Sequence, residues 1–159
     1  MPTNAAPDRW ALAIYMMVRD PRGRILLLRR SQTVDHFKGC WELPGGKPFP
    51  GETIDKTSEL KLDEEAGLYV PPTGVAGAVE GSIPGLRVAL LILEGKSTDT
   101  EITLGGEHDA FLWVSLSQVN SLKLRPGFDK FLAQYQRQSR TRQAKAPGKK
   151  PAREKKISR

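Results

Sequence analysis

The chain has little of two features: the cysteines that form disulfides in secreted proteins, and the long apolar segments that anchor membrane proteins. Its 159 residues include one cysteine, Cys40, so no intramolecular disulfide can form, and this favours a reducing, intracellular setting. The longest apolar run near the start, residues 11–18, is too short to cross a bilayer, and no signal-peptide pattern precedes it. We therefore expect a cytoplasmic protein that neither spans nor binds a membrane.

An excess of positive over negative charge is found only at one end of the chain. The formal net charge is +7, but residues 137–159 alone hold ten Lys/Arg and one acid, and the other 136 residues hold 15 basic and 17 acidic side chains. The same segment has very few apolar residues, so we predict a disordered basic tail. Such a tail suits contact with nucleic acid or an anionic surface. A solvated tail without a partner is favoured, because it contains no aromatic side chain to stack on bases.

The length suits one domain. We place it at residues 10–136, between a flexible segment at 1–9 and the tail at 137–159. Apolar runs separated by turn residues define its elements, and the first two runs flank an Asp-Pro-Arg-Gly turn that predicts a β-hairpin. Strands mixed with a few helices indicate an α/β or α+β sandwich. The predicted strands are 11–18, 24–30, 86–95 and 110–116, and the predicted helices are 53–66, 115–122 and 127–138.

A Gly-rich loop, residues 43–47, precedes a helix that carries the adjacent acids Glu64 and Glu65. Glycines let a backbone approach a ligand closely, and Lys47 can reach a phosphate. Carboxylates on a helix face opposite such a loop suit Mg²⁺, which prefers oxygen ligands and shares them with substrate phosphates. The pattern therefore indicates metal-assisted attack of water on a phosphoanhydride. Either piece alone is ordinary, a turn or a solvated helix face, and only their combination supports the site.

The spacing of these residues resembles the box of the Nudix hydrolase family, G-x5-E-x7-R-E-U-x-E-E-x-G-U, where U is a bulky aliphatic residue. Seven of its nine defined positions match. They are Gly46, Glu52, Leu62, Glu64, Glu65, Gly67 and Leu68. The similarity extends over residues 12–119. The family implies an α/β/α sandwich around a mixed β-sheet, Mg²⁺ or Mn²⁺ as cofactor, and substrates that are nucleoside triphosphates or other nucleoside diphosphate derivatives.

The resemblance also implies site residues. The implied metal ligands are the Gly45 carbonyl and the carboxylates of Glu64, Glu65 and Glu107. Substrate contacts are expected from Arg30, Lys47 and Arg87. The expected catalytic residues are Lys47, Glu52, Glu64, Glu65 and His108. His108 enters because its unperturbed pKa suits a base and its loop can reach the metal site, although a lone loop histidine is more often structural or solvated.

Two adjacent positions depart from the box, with Leu60 in place of its arginine and Lys61 in place of the glutamate that follows. That glutamate is a metal ligand in the family and often the general base, and losing a base costs about 10²- to 10⁴-fold in rate. Three hypotheses remain: a weakened pyrophosphohydrolase, a module that binds nucleotide or RNA without turnover, and a protein-interaction module. The first is favoured because the other site residues are intact. The substrate, with loops 31–38 and 82–87 as candidate determinants, and the oligomeric state stay open.

Overall fold

The structure, a computed structural model, describes residues 9–148, which form seven strands and two α-helices. In chain order they are β1 (Trp10–Arg19), β2 (Ile25–Arg30), β3 (Trp41–Glu42), β4 (Gly45–Gly46), α1 (Ile54–Ala66), β5 (Gly74–Ile83), β6 (Leu86–Lys96), β7 (His108–Val114) and α2 (Phe128–Lys145). A single turn of 3-10 helix, Val119–Ser121, lies between β7 and α2.

The strands form one mixed sheet with the order β3-β2-β1-β6-β5. Strands β1 and β6 run parallel along their whole length, and every other pairing is antiparallel. The short strand β4 pairs with Ile14 and Tyr15 of β1. This pairing fixes the Gly-rich loop against the middle of the sheet, directly beside a buried strand.

The sheet has a hydrophobic core on each face. Strand β1 alternates between them, as the two-residue period of a strand requires, with Tyr15 in one cluster and Ile14 in the other. Helix α2 covers the first face and α1 covers the second. The helical residues in the two cores are Phe128, Phe131 and Leu132 on α2, and Leu62 and Ala66 on α1. The expected α/β/α sandwich is therefore confirmed.

The predicted hairpin, the 86–95 strand and helix α1 are present within two residues of their expected limits. Strand β5 was not predicted, because its glycines and Glu80 lower strand propensity; its pairing with β6 decides the structure there. Residues 82–87 were expected to be a loop. They lie where β5 ends and β6 begins, and most of them belong to these two paired strands. The helix expected over 115–122 is only a 3-10 turn, and the Ser115 hydroxyl donates to the Gln118 side chain at 2.9 Å.

Helix α2 continues to Lys145, nine residues beyond the predicted domain boundary. Residues 137–145 belong to the predicted disordered tail and are helical in the structure, where Arg, Gln, Ala and Lys, all good helix formers, continue a helix that its packed first half has already started. The remainder of the predicted tail, residues 149–159, and the predicted flexible start, residues 1–8, lie outside the described residues. Within residues 9–148, no helix is long and apolar enough to cross a membrane.

Candidate active site

Helix α1 begins and ends at residues suited to those positions. The Thr53 hydroxyl accepts a hydrogen bond from the Lys56 amide at 3.2 Å, and Gly67 ends the helix with a left-handed φ of 68°. Just before the helix, the Glu52 carboxylate accepts hydrogen bonds from the Phe49 amide at 3.0 Å and the Thr57 hydroxyl at 2.9 Å. Glu52 thereby ties the Gly-rich loop to the first turn of α1, so loop and helix keep a fixed relative position.

Gly45 joins this loop to the acidic helix. Its amide donates to the Glu65 carboxylate at 2.7 Å. Its φ is 152°, and a Cβ atom there would collide with the Ile14 carbonyl oxygen and approach the Tyr15 Cα atom to 2.6 Å. Only glycine lets the loop lie this close to β1 and so brings its amide to the acid.

Glu65 is buried while its neighbour Glu64 is exposed. Only 8% of Glu65 is accessible, whereas 61% of the Glu64 side chain is. Burial raises the pKa of Glu65 to about 8, against the opposing effect of the Gly45 hydrogen bond, and the nearby Glu42 and Glu107 charges raise it further. A cation close to Glu65 would favour its ionised form.

Lys61 lies in the middle of these acids. Its Nζ is 3.6 Å from a Glu64 carboxylate oxygen, and its side chain is only 18% exposed. The ammonium is 5.1 Å from the centroid of the Phe49 ring, and the Lys61 Cε atom lies 3.2 Å from where a Cβ atom on Gly46 would be. Lys61 also lowers the pKa of Glu65 by its charge, although burial of Glu65 outweighs this effect. The residue that replaces a box glutamate therefore points into the site.

A cavity of about 400 Å³ opens between the Gly-rich loop, α1 and the sheet. Its lining combines cationic, acidic and aromatic side chains. They are Arg30, Lys47, Lys61 and Arg125; Glu65 and Glu107; and Tyr15, His36, Phe37 and Phe49. A second cavity of about 330 Å³ adjoins it and shares Lys61, Glu65 and Glu107. Such a lining suits an anionic ligand that carries an aromatic ring.

A buried charge network stands behind this cavity, and sequence reasoning missed its centre, Glu42. The Glu42 carboxylate accepts hydrogen bonds from Arg30 at 3.0 Å, Arg125 at 2.7 Å and His108 Nε2 at 2.9 Å. Arg125 also donates to the Tyr15 hydroxyl at 3.0 Å. A sequence signal existed, since Glu42 is an acid flanked by the apolar residues Trp41 and Leu43. Its partners are too far along the chain to be found from the sequence.

The network shifts the ionisation of its members. Burial alone would raise the pKa of Glu42, but the His108 hydrogen bond and the Arg125 and Arg30 charges outweigh it and hold that pKa below its ordinary value. Burial raises the pKa of Tyr15 to about 12 despite the nearby Arg125. Glu42 therefore stays charged and fixes both guanidinium groups at the cavity wall.

The structure brings some predicted site residues together and separates others. Gly45, Lys47, Arg30, Glu65 and Glu107 line the main cavity, and Glu64 lines the adjoining one. The other three line neither cavity. The Glu52 carboxylate accepts hydrogen bonds from the Phe49 amide and the Thr57 hydroxyl, and His108 and Arg87 are paired with other residues. The His108 side chain is fully buried against Glu42, and its Nδ1 has no hydrogen-bond partner within residues 9–148. Arg87 pairs with Glu80 at 2.9 Å and stacks on Trp10 at 4.2 Å, so it does not line the cavity.

The acids fit a metal ion only if a substrate completes its coordination. Among the described residues, no group of three or more His, Cys, Asp or Glu side chains is placed to hold a metal ion by itself. Mg²⁺ in nucleotide sites is often held by one or two carboxylates together with substrate phosphates. Glu64 and Glu65 supply two such carboxylates, and the Lys61 ammonium lies beside them. A cage built from protein groups alone does not fit this arrangement, but an ion shared with phosphates does.

Comparison with known proteins identifies the fold and family. The family model for the NUDIX domain matches residues 9–135, so the chain belongs to the Nudix family. The crystal structure of the MutT protein from Methanosarcina mazei superposes with a TM-score of 0.79 at 28% identity, over 85% of this chain and 99% of that one. The similarity therefore extends over most of this chain and nearly all of that one.

Sequence relatives differ in the reactions that their names describe. An isopentenyl-diphosphate Delta-isomerase from Halorhodospira halophila is 42% identical over 36% of this chain, and an octanoyltransferase from Myxococcus xanthus is 32% identical over 71% of it. The chain spans about a third of the length of each, 33% and 32%. The nucleoside triphosphatase NudI from an Enterobacter species is 26% identical over 64% of this chain and 80% of its own. Family membership alone therefore does not fix the reaction.

Proposed function

We propose that this chain hydrolyses a phosphoanhydride bond in a nucleoside triphosphate or another nucleoside diphosphate derivative, with Mg²⁺ or Mn²⁺, at a rate lowered by Lys61. The main cavity is the observation that carries the proposal. Its lining combines cationic side chains suited to phosphates, aromatic rings suited to a base, and Glu65 of α1. The nucleoside triphosphatase relative supports the same class of substrate.

Each part of the cavity has a separate role in this proposal. Lys47 on the loop contacts phosphate oxygens, and Arg30 provides a guanidinium held in place by Glu42. Glu52 positions the loop on α1. Gly45, Glu64 and Glu65 are the proposed groups that hold the metal ion together with substrate phosphates, and the bound ion would neutralise phosphate charge and activate water.

The attacking water must lose a proton to an acceptor. Because Lys61 stands where the box has its glutamate, a different group must accept that proton. Glu107 is an exposed carboxylate that lines both cavities, and we propose it either as that acceptor or as a further metal ligand. His108 is enclosed against Glu42, which makes it less suited to the same step. Proton transfer requires a group within hydrogen-bond reach of the water.

A second candidate function is nucleotide binding without turnover. It is favoured by one observation, the ammonium of Lys61 beside Glu64 at 3.6 Å. A positive charge there competes with a metal ion for the same carboxylates. In this case the cavity would retain affinity for nucleotides and lack catalysis.

The deciding experiment measures phosphate release with Mg²⁺ and with Mn²⁺ across nucleoside triphosphates and nucleoside diphosphate conjugates. The unmodified protein is compared with Lys61→Glu, which restores the box residue, and with Glu65→Gln as the control for contaminating enzymes. We expect slow turnover that vanishes in Glu65→Gln and rises by about 10²-fold or more in Lys61→Glu. Turnover only after Lys61→Glu would support binding without catalysis instead. No turnover and no nucleotide binding by any variant would contradict both candidates.

Two further properties are proposals at the level of the whole chain. The basic residues of 137–159 would add contact with nucleic acid, and a cytoplasmic location follows from the single cysteine rather than from the fold. Fractionation of cells that produce the tagged protein would test the location.

A further inference from the structure

Lys61 occupies a place where the rest of the site is built for negative charge. It projects from α1 between Glu64 and the Gly-rich loop, and it lines both cavities beside Glu65 and Glu107. The side chain has neighbours on two sides, because its aliphatic carbons lie beside Gly46 and its ammonium lies over the Phe49 ring. This lysine is therefore part of the cavity wall and not a solvated surface residue.

The contacts of Lys61 leave its ammonium able to bind a further anion. Its separation from Glu64 is 3.6 Å, longer than a normal hydrogen bond, so this ion pair does not use up its three donors. Glu64 itself is largely exposed, which lets its side chain move aside when a ligand enters. The ammonium faces a cavity of about 400 Å³ that Lys47 and Arg30 also line.

A divalent ion held by Glu64 and Glu65 would have the Lys61 ammonium beside it. Both are cations, both would lie against Glu64 and Glu65, and like charges at this distance repel. A phosphate group can instead be bound by either one, since lysine acts as a point charge toward phosphate in many nucleotide sites.

We propose that the Lys61 ammonium takes the electrostatic place of one metal cation in holding phosphates, so that binding of the diphosphate group of a nucleotide does not require a divalent ion, whereas hydrolysis still uses one. The inference rests on the nucleotide-binding part of the proposed function and deepens it. Binding and catalysis are then separated: Lys61 supplies the charge that holds the phosphates, and the activation of water is what the substitution weakens.

The test is calorimetric titration of the full chain with the four ribonucleoside diphosphates and with inorganic pyrophosphate, in EDTA and again in Mg²⁺. Four variants are compared with the unmodified protein. Lys61→Arg keeps the charge, Lys61→Gln removes it, Lys61→Glu reverses it, and Lys56→Gln is the matched control. Lys56 is an exposed lysine of the same helix that lines neither cavity. Thermal unfolding of each variant checks that it is folded.

We expect the unmodified protein, Lys61→Arg and Lys56→Gln to bind at least one of these ligands in EDTA. Lys61→Gln should bind about 10- to 100-fold more weakly, the usual loss for a hydrogen bond to a charged group. Lys61→Glu should lose binding in EDTA and regain it in Mg²⁺, because a restored carboxylate allows an ion to replace the ammonium.

Three results would overturn the inference, and they differ in what else they affect. Binding by the unmodified protein only in Mg²⁺ would refute it and leave the proposed hydrolase intact. Equal affinity of Lys61→Gln and the unmodified protein in EDTA would show that Lys61 does not hold the phosphates. Absence of binding with and without Mg²⁺ would refute both the inference and the proposed function.

Discussion

His108 and Glu107 are neighbours in sequence with opposite surroundings. Glu107 is exposed in the cavity, whereas the His108 side chain is fully buried on Glu42. We expect Glu107→Gln to lower kcat by about 10²-fold with unchanged stability. His108→Gln should instead lower the free energy of unfolding by about 1–3 kcal/mol, because it disturbs a buried hydrogen bond. Steady-state kinetics and urea unfolding of both variants check this, and the reverse pattern would restore His108 as the base.

Because Glu42 is ionised in the folded state, we expect the free energy of unfolding to depend on pH in the acid range. Its pKa in the folded state lies below the ordinary value of 4.5, so the ionised form is the one stabilised by folding. Its contribution is therefore present above pH 4.5 and is lost as the pH falls through the folded-state pKa. At neutral pH, Glu42→Gln should cost about 3 kcal/mol, since Arg30 and Arg125 lose a buried counter-charge.

Urea unfolding of the unmodified protein and Glu42→Gln at a series of pH values tests this prediction. The difference between their free energies of unfolding should be largest above pH 4.5 and should shrink at lower pH. A difference that stays constant down to the acid unfolding of the protein would mean that the Glu42 charge does not contribute.

Gly45 and Gly51 allow two reasons for a glycine to be compared: a lack of space for a Cβ atom and a positive φ. Both have positive φ, 152° and 86°, but only a Cβ atom on Gly45 would meet the backbone of β1. Gly51→Ala should cost about 1 kcal/mol, the ordinary penalty for a left-handed residue with a side chain. Gly45→Ala should cost at least about 2 kcal/mol more and also reduce activity, because the amide that contacts Glu65 must move. Similar unfolding midpoints for the two variants would contradict this.

At the scale of the element, α1 has one buried face and one exposed face. Leu62 is 1% exposed in the core beneath the sheet, whereas Leu60, two residues earlier, is 36% exposed. Leu62→Ala is expected to lower the free energy of unfolding by about 2–5 kcal/mol, the usual cost of emptying a packed leucine site. Leu60→Ala should change it by no more than about 0.5 kcal/mol. Comparable losses in urea unfolding would show that α1 packs differently.

The pairing of strands explains why elements differ in how well the sequence predicts them. Helix α1 was predicted nearly to the residue because its signals are local, with Thr53 at the start and Gly67 at the end. Strand β5 was missed because it has no comparable local signal. Its backbone pairs with β6 from Gly74↔Glu94 to Ile83↔Leu86, and this neighbour decides its conformation.

At the scale of the whole molecule, the end of the chain carries most of the net positive charge. Among residues 9–148, the members of both core clusters lie between Ala13 and Tyr135. Residues 149–159 contain six Lys/Arg and one acid, so a chain that ends at Gly148 has a formal net charge of +2 in place of +7. We expect this truncation to leave the thermal midpoint and the nucleotide affinity unchanged.

The truncated chain should elute from a cation exchanger at lower salt and lose any salt-dependent affinity for RNA, because such affinity comes from counterion release by Lys and Arg. Gel-shift titrations of both chains against a homopolymer RNA at several salt concentrations check this. Identical salt dependence in the two chains would exclude a role for the last eleven residues in RNA contact.

The sequence by itself determined the hairpin, α1 with both of its ends, the sandwich class and the family. It also placed the acids of the site on one helix behind a Gly-rich loop. These features depend on periodicity, turn residues and spacing, which are properties of neighbouring residues along the chain. Even the anomaly at Lys61 was visible at this level.

Tertiary structure alone decided which of the adjacent acids Glu64 and Glu65 is buried, and how Lys61 is directed into the cavity. It also assembled the network around Glu42 from residues that are far apart along the chain. The physical reason is that burial and pKa depend on the groups that surround a side chain in space. Strand pairing brings those groups together, and a linear pattern does not record it.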